Sequence, residues 1–229
     1  MSVLRNVFSK THVFLAVIHF ESEVQTLRNA KIAEQEGADG IFLINHHLSH
    51  RELIRCYENV RTQLPTFWVG LNCLDLGRMA VGIIPKNTAG LWVDNAGIDD
   101  SENPVVEAQR FVAIRERSGW QGLYFGGVAF KYQEEIRDVA LAARRAVSFV
   151  DVVTTSGSRT GKAADIKKIR HMKEAISTHP LAIASGITPE NVREYMPYAD
   201  CFLVATGISD SHTELNPARV RKLANMLRG

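Results

Sequence analysis

The sequence predicts an α/β protein built as one single-domain (β/α)8 TIM barrel over residues 1–229. Eight strand-sized apolar runs alternate with segments of helical periodicity, the pattern expected of parallel strands buried on both faces and the helices that connect them. A chain of 229 residues with 45% hydrophobic content is long enough for one such core and cramped as two domains. No linker or low-complexity stretch interrupts the alternation. A doubly wound open sheet is the alternative, because periodicity does not report closure.

The first run is residues 13–19, followed by a helix over 21–37 with Val24, Leu27 and Ala30 inward and Gly37 as its stop. The second strand spans 41–45. Its helix carries Leu53, Tyr57, Val60 and Leu64 at helical spacing and ends before Pro65. After a third strand over 67–72, residues 75–89 hold Gly77, Gly82 and Pro85 and predict only a short helix broken before the proline. Strand four is 91–94. Asn103-Pro104 then supplies an N-cap and a first-turn proline to a helix that turns Ala108, Phe111 and Val112 inward. Strand five, 122–126, precedes a helix whose Ile136, Val139, Ala140, Ala143 and Val147 form one apolar stripe. Strand six is 150–154, and its helix places Ile166, Ile169, Met172 and Ile176 on one side. Strands seven and eight are 182–185 and 202–205. Thr188-Pro189 and Asn216-Pro217 repeat the cap-then-proline signature for the last two helices, the second burying Val220, Leu223 and Leu227.

A net charge of +2 without any clustered Lys/Arg block gives no footprint for nucleic acid. Cys56, Cys73 and Cys201 are too scattered for a metal knuckle or a disulfide framework, which points to a reducing, cytoplasmic setting. The longest apolar runs fall far short of the ~20 residues a membrane helix needs, and residues 1–10 lack a signal core. No membrane insertion is therefore expected, and a homodimer is left open.

Active sites of such barrels lie at the carboxyl ends of the strands. Here His19, Asn45, Asn72, Asp94, Thr155 and Ser185 end six of the runs, a polar ring that apolar packing alone does not require. Alternation puts Asn72 on one strand face with Trp68 and Asp94 on one face with Trp92, so both tryptophans are expected to fill the interior. Asp94 is the candidate general base, His19 the candidate for proton transfer near neutral pH, and Lys131 a cation at the mouth beside Tyr132. Asn45 and Asn72 are expected to orient ligand hydroxyls.

Three loops read as anion-binding. The turns after strands seven and eight bring Gly186, Ile187, Thr206 and Gly207 to where barrels of this kind hold a phosphate on main-chain N–H groups. The loop carrying Thr155, Ser156, Gly157, Arg159, Thr160, Gly161 and Lys162 is a glycine-rich lid with cationic side chains. It is not a Walker loop, since Ser156 stands where the first glycine belongs and Ala163 follows Lys162 in place of Ser or Thr. His46, His47 and His50 sit close in sequence, but their spacing suits a metal poorly, so no metal ligands and no cofactor are assigned.

The lid sequence from Thr154 to Lys162, the Ser-Gly-Ile-Thr-Pro-Glu-Asn turn at 185–191 and Tyr198-Ala199-Asp200 with Val204-Ala205-Thr206-Gly207-Ile208 resemble the C-terminal half of the BtpA/SgcQ family. The N-terminal half resembles it more loosely, through the Glu-Gly-Ala-Asp-Gly-Ile turn at 36–41 and Asn45. The resemblance implies a ribulose-phosphate-binding type of barrel. Its members are discussed as photosystem I biogenesis proteins, as a sugar-operon protein and, by analogy, as phosphoribosyltransferases. One departure stands out: after His19 the family pattern has a proline- and glycine-rich loop, whereas Phe20-Glu21-Ser22-Glu23 runs almost directly into the first helix. The expectation is a phosphorylated sugar or nucleotide as ligand, with acid/base chemistry of a phosphoribosyltransferase, isomerase or lyase kind. The alternatives are a non-catalytic binder of a nucleotide-like molecule and an assembly factor.

Overall fold

In the computed structural model, which describes residues 3–101 and 105–228, the eight apolar runs close into one parallel barrel in sequential order. The strands are β1 (Val13–His19), β2 (Gly40–Ile44), β3 (Trp68–Asn72), β4 (Gly90–Val93), β5 (Leu123–Gly127), β6 (Val152–Ser156), β7 (Leu181–Ala184) and β8 (Cys201–Val204). Closure is the pairing of β1 with β8, Val13 opposite Cys201 through Ala16 opposite Val204.

Strand alternation divides the apolar residues into two cores. Val13, Leu15, Val17, Phe42, Ile44, Trp92, Phe125, Val152, Ala182 and Leu203 fill the barrel interior, with Trp68 packed against them. Phe14, Ala16, Ile18, Ile41, Leu43, Val69, Leu71, Val153 and Ile183 face the helices. The interior therefore contains both tryptophans, as alternation predicted. Gly70 and Gly90 make room for them, because a Cβ on either would run into the rings of Phe42 and Trp68.

The outer layer comprises α2 (Glu23–Gln35), α3 (His50–Gln63), α4 (Val106–Ser118), α5 (Val139–Ala146), α6 (Ile166–Ile176), α7 (Val192–Tyr195) and α8 (Pro217–Arg228), with 3-10 turns at Gly77–Gly82 and Thr206–Ile208. A preceding helix, α1 (Val3–Phe8), was not predicted, since six residues are too few for periodicity to register. Its Leu4 is buried in the interior cluster and Phe8 meets Trp68 with ring centroids 5.5 Å apart. None of the described helices is long and apolar enough to cross a membrane.

Four elements depart from the sequence reading for identifiable reasons. Helix α2 does not bury Val24, which is 75% exposed, but Gln25, Thr26, Asn29, Ala30 and Ala33. The amides of Gln25 and Asn29 both donate to the Thr213 carbonyl at 2.6 Å, and Leu215 N–H donates to Asn29, so this face is polar because it anchors the loop after β8. Helix α5 starts late, at Val139, where the Asp138 carboxylate caps it while Arg137 and Asp138 N–H groups donate to Asp100. Helix α7 is a single turn, because the Thr188 carbonyl accepts from Asn191 and Val192 and holds the Thr188-Pro189 segment as a turn. Strand β6 runs two residues further than predicted and brings Ser156 into the sheet. The predicted cap at Asn103-Pro104 lies outside the described residues.

At the amino-terminal rim one device recurs. Asp39, Asp151 and Asp200 each immediately precede a strand, and each accepts a main-chain N–H from the strand before it: Phe14 at 2.8 Å, Tyr124 at 2.7 Å and Leu181 at 2.9 Å. Each also pairs with a cation, Lys10, Arg115 and Lys173 respectively. Charge-assisted hydrogen bonds of this sort contribute roughly 1.5–3 kcal/mol each. They fix β1 to β2, β5 to β6 and β7 to β8 from below.

Candidate active site at the barrel mouth

The same alternation decides which strand-end side chains reach the opposite, carboxyl-terminal mouth. His19, Asn72 and Asp94 continue the inward-facing series of β1, β3 and β4. Asn45 has the outward parity of β2. It is buried, its Nδ2 donates to the Leu48 carbonyl at 2.8 Å and to Asp75 at 2.9 Å, and its Oδ1 accepts from Leu74 N–H at 2.8 Å. With both Nδ2 protons engaged and Oδ1 holding Leu74, Asn45 braces two loops, and the remaining lone pair of Oδ1 is what it could offer a ligand. Thr155 also has outward parity and donates to the Ala129 carbonyl at 3.1 Å. Ser156 accepts from Lys131 N–H at 2.8 Å and donates to the Gly157 carbonyl at 2.9 Å. These two hydroxyls likewise shape the loops.

Lys131 occupies the middle of the arrangement. Its half-buried ammonium donates to Thr160 Oγ1 at 3.3 Å and Ser185 Oγ at 3.4 Å, and its charge acts on His19, His46 and Asp94. Asn72 Nδ2 donates to Asp94 Oδ1 at 2.9 Å. Burial raises the Asp94 carboxyl above the usual aspartate range, against the opposing effects of Asn72 and Lys131. Gln133, unremarked in the sequence, fixes the main chain here by donating to the Asp94 carbonyl at 2.7 Å. His19 is driven down to about 3, first by burial and then by the neighbouring charges of His212, His46 and Lys131. Its ring is thus neutral at pH 7 and does not titrate near neutral pH, where the sequence placed its proton transfer. Of the five non-glycine residues with positive φ among the described residues, Ala129, Tyr132 and Ser185 lie around this site, the others being Ser9 and Ser177.

The loops after β6, β7 and β8 are in main-chain contact. A Cβ on Gly157 would strike the Lys162 carbonyl, one on Gly186 the backbone of Ala163, and one on Gly207 the Ile187 carbonyl. Gly186 also has φ +71°, open to glycine at little cost. Thr206 and Gly207 open a 3-10 turn, where the first N–H groups have no acceptor within the turn. Lys168, from α6, binds this region from beneath by donating to the Ser156 carbonyl at 2.8 Å and to the Ala129 carbonyl, and burial lowers it to about 8. Arg159 and Lys162 are exposed, and neither side chain has a hydrogen-bond or ion-pair partner among the described residues. A cavity of about 650 Å³ runs between the β5 and β6 loops past Lys131, Ser156, Lys162 and Lys168, and another of about 650 Å³ opens beside Asn72 and Asp94.

The mouth also gathers three histidines that sequence spacing kept apart. The first loop is only residues 20–22, with Ser22 capping α2, and the β8 loop brings His212 over the space this leaves. The His19 and His212 rings stack at 4.1 Å, His19 and His46 at 4.8 Å, and one nitrogen from each of the three lies within 4.8 Å of the others. His50 turns away to Asp75 at 2.8 Å, so the close-sequence group of His46, His47 and His50 is not a cluster in space. Nothing in the local sequence at residues 209–214 marks His212; the short first loop is the one indirect signal.

Fold and mouth together define a TIM barrel whose polar groups and contacting loops converge at the carboxyl ends of the strands. The BtpA family model matches residues 127–229, which bears out the resemblance over that stretch. An uncharacterised protein of Pyrococcus abyssi is 36% identical over 85 residues, covering 34% of this chain and 32% of that protein. The matched stretch is thus about a third of that relative's length. An uncharacterised Pyrococcus furiosus protein is 24% identical over 91% of this chain and 86% of its own. Among solved structures, (S)-3-O-geranylgeranylglyceryl phosphate synthase of Thermoplasma acidophilum, in complex with sn-glycerol-1-phosphate, aligns with a TM-score of 0.69 at 17% identity over 100% of this chain and 99% of that one. Phosphoribosyl anthranilate isomerase of Thermus thermophilus aligns at 0.63 with 16% identity over 94% and 98%. At these identities the structural likeness concerns the fold.

Proposed function

We propose that the protein binds a phosphorylated small molecule, a sugar phosphate or nucleotide, at the barrel mouth and acts on it by acid/base chemistry. The observation that carries this reading is Lys131, which reaches Ser185 at the start of the β7 loop and acts by its charge on the half-buried Asp94 carboxyl, beside three loops in main-chain contact through glycines. Two barrels of the same fold, named above for phosphorylated compounds, support it. In this reading the N–H groups of Gly186, Ile187, Thr206 and Gly207 hold the phosphate, and Lys131, Arg159 and Lys162 balance its charge. Asp94, oriented by Asn72 and raised by burial, takes a proton from the substrate and returns it in an isomerisation, or assists departure of a group in glycosyl or phosphoribosyl transfer.

Native mass spectrometry of freshly purified protein tests the ligand class, with a bound phosphorylated compound released on denaturation as the expected result. In a crystal soaked in phosphate, the anion is expected within hydrogen-bond reach of the Thr206 and Gly207 N–H groups. A vacant rim in that crystal overturns the reading.

A further inference from the structure

We propose that His19, His46 and His212 form a binding site for one divalent transition-metal ion. The three imidazoles come from the end of β1, the loop after β2 and the loop after β8, and one ring nitrogen of each lies within 4.8 Å of the other two. Among the described residues they make one hydrogen bond, between His19 Nδ1 and His46 Nε2 at 2.6 Å. The other nitrogen of His19, Nδ1 of His46 and both nitrogens of His212 have no hydrogen-bond partner among the described residues. Histidines placed for packing or capping look different in this same chain: His12 Nδ1 meets the Ala199 carbonyl at 3.1 Å, and His50 meets Asp75.

Imidazole nitrogens select zinc, cobalt, nickel or copper over magnesium and calcium, which prefer oxygen ligands. Three histidines with an open position match the ligand set of catalytic rather than structural zinc. Tetrahedral zinc with Zn–N of ~2.0–2.1 Å needs nitrogens ~3.3 Å apart. The three nitrogens lie within 4.8 Å of one another, a span that contains that spacing. Rotation of the exposed His46 and His212 side chains supplies the adjustment. Lys131 acts on His19 and His46 as a competing positive charge, while Glu21 acts on His46 with the opposite sign. An anionic molecule filling the open coordination position and lying against Lys131 would relieve that repulsion. The ion is thus expected to bind alone and to bind more tightly when inorganic phosphate is present.

Metal-stripped protein titrated with Co²⁺ tests the site directly through its visible absorption, with Zn²⁺ as competitor. One equivalent is expected, with a spectrum of four- or five-coordinate cobalt that Zn²⁺ abolishes. His212→Ala is expected to weaken binding by ~100-fold or more, beyond the ~10–100-fold that loss of an outer-shell partner brings. His212 is exposed and makes no hydrogen bond among the described residues, so this variant is expected to fold, as its unfolding midpoint without metal would verify. His46→Gln is expected to match it, and the double variant His47→Ala/His50→Ala to bind like the unaltered chain. Binding of the unaltered chain no tighter than that of a His19→Gln/His46→Gln/His212→Ala variant, or loss confined to the His47/His50 variant, overturns the site. Because the titration uses metal alone, its outcome is independent of the phosphate reading.

Discussion

The mouth has two unlike arcs. Over β6, β7 and β8 it is made of main chain, with Gly157, Gly186 and Gly207 admitting neighbouring backbone where any side chain would collide. Over β1 to β4 it is made of side chains, with His19, His46, Asn72 and Asp94 carrying the titratable and orienting groups. Close packing gives the first arc its shape, and that shape leaves little tolerance for substitution. The second arc depends on burial and charge, both of which can be retuned one residue at a time. The BtpA match over residues 127–229 takes in the whole main-chain arc and Lys131 but none of His19, His46, Asn72 or Asp94. Likeness to that family therefore speaks to the frame proposed to hold an anion, while the acid/base groups proposed for Asp94 and His19 lie in the arc that the match does not reach.

Substituting one residue in each arc tests this division. Gly186→Ala combines a positive φ with a collision against Ala163. Overpacking and backbone strain each cost roughly 1–3 kcal/mol, so a loss of about 3 kcal/mol is expected in denaturant unfolding, together with loss of phosphate binding. An unchanged midpoint would mean that the main-chain arc is not rigid. Asp94→Asn is expected to lower turnover by roughly 10²–10⁴-fold, the range for loss of a general acid or base, while phosphate affinity persists. Its stability should also depend on pH. Burial raises the folded-state pKa of Asp94 above its unfolded value, so in that window the folded chain holds the proton that the unfolded chain has released. Stability of the unaltered protein due to this group thus falls as pH rises through the window. The advantage of Asp94→Asn should grow over the same interval and then level off, as unfolding midpoints at stepped pH would measure. The smallest effect is expected at Asn45→Ala, about 1–2 kcal/mol from stranding the Leu74 N–H and Asp75, with ligand affinity unchanged. A marked fall in affinity there would return Asn45 to the binding surface.

Much of the fold was legible because a parallel barrel writes itself as apolar runs, and strand parity alone placed Trp68, Trp92, Asn72 and Asp94 inward. Parity also sets Asn45 and Thr155 apart from the other strand-end residues: the polar residue just past a run looks like a strand end facing the mouth, yet an offset of one residue turns it outward. The buried face of α2 escaped notice because Gln25 and Asn29 satisfy loop carbonyls and N–H groups, and an apolar stripe is blind to that use. His212 escaped for a different reason. Its meeting with His19 depends on where two loops from opposite ends of the chain come to rest once β1 and β8 have paired.

The aspartates beneath the barrel have a bearing on how such a mouth can change. Slipping one strand by a single residue would exchange its inward and outward sets, turning Val17 or Trp92 toward the helices. Asp39, Asp151 and Asp200 hold three strand pairs against that slip from the end farthest from the loops. With alignment secured by this lower keying, the upper loops can lengthen, shorten or trade histidines without disturbing the stagger of the staves, and a chassis of this design can be refitted for new substrates from one side.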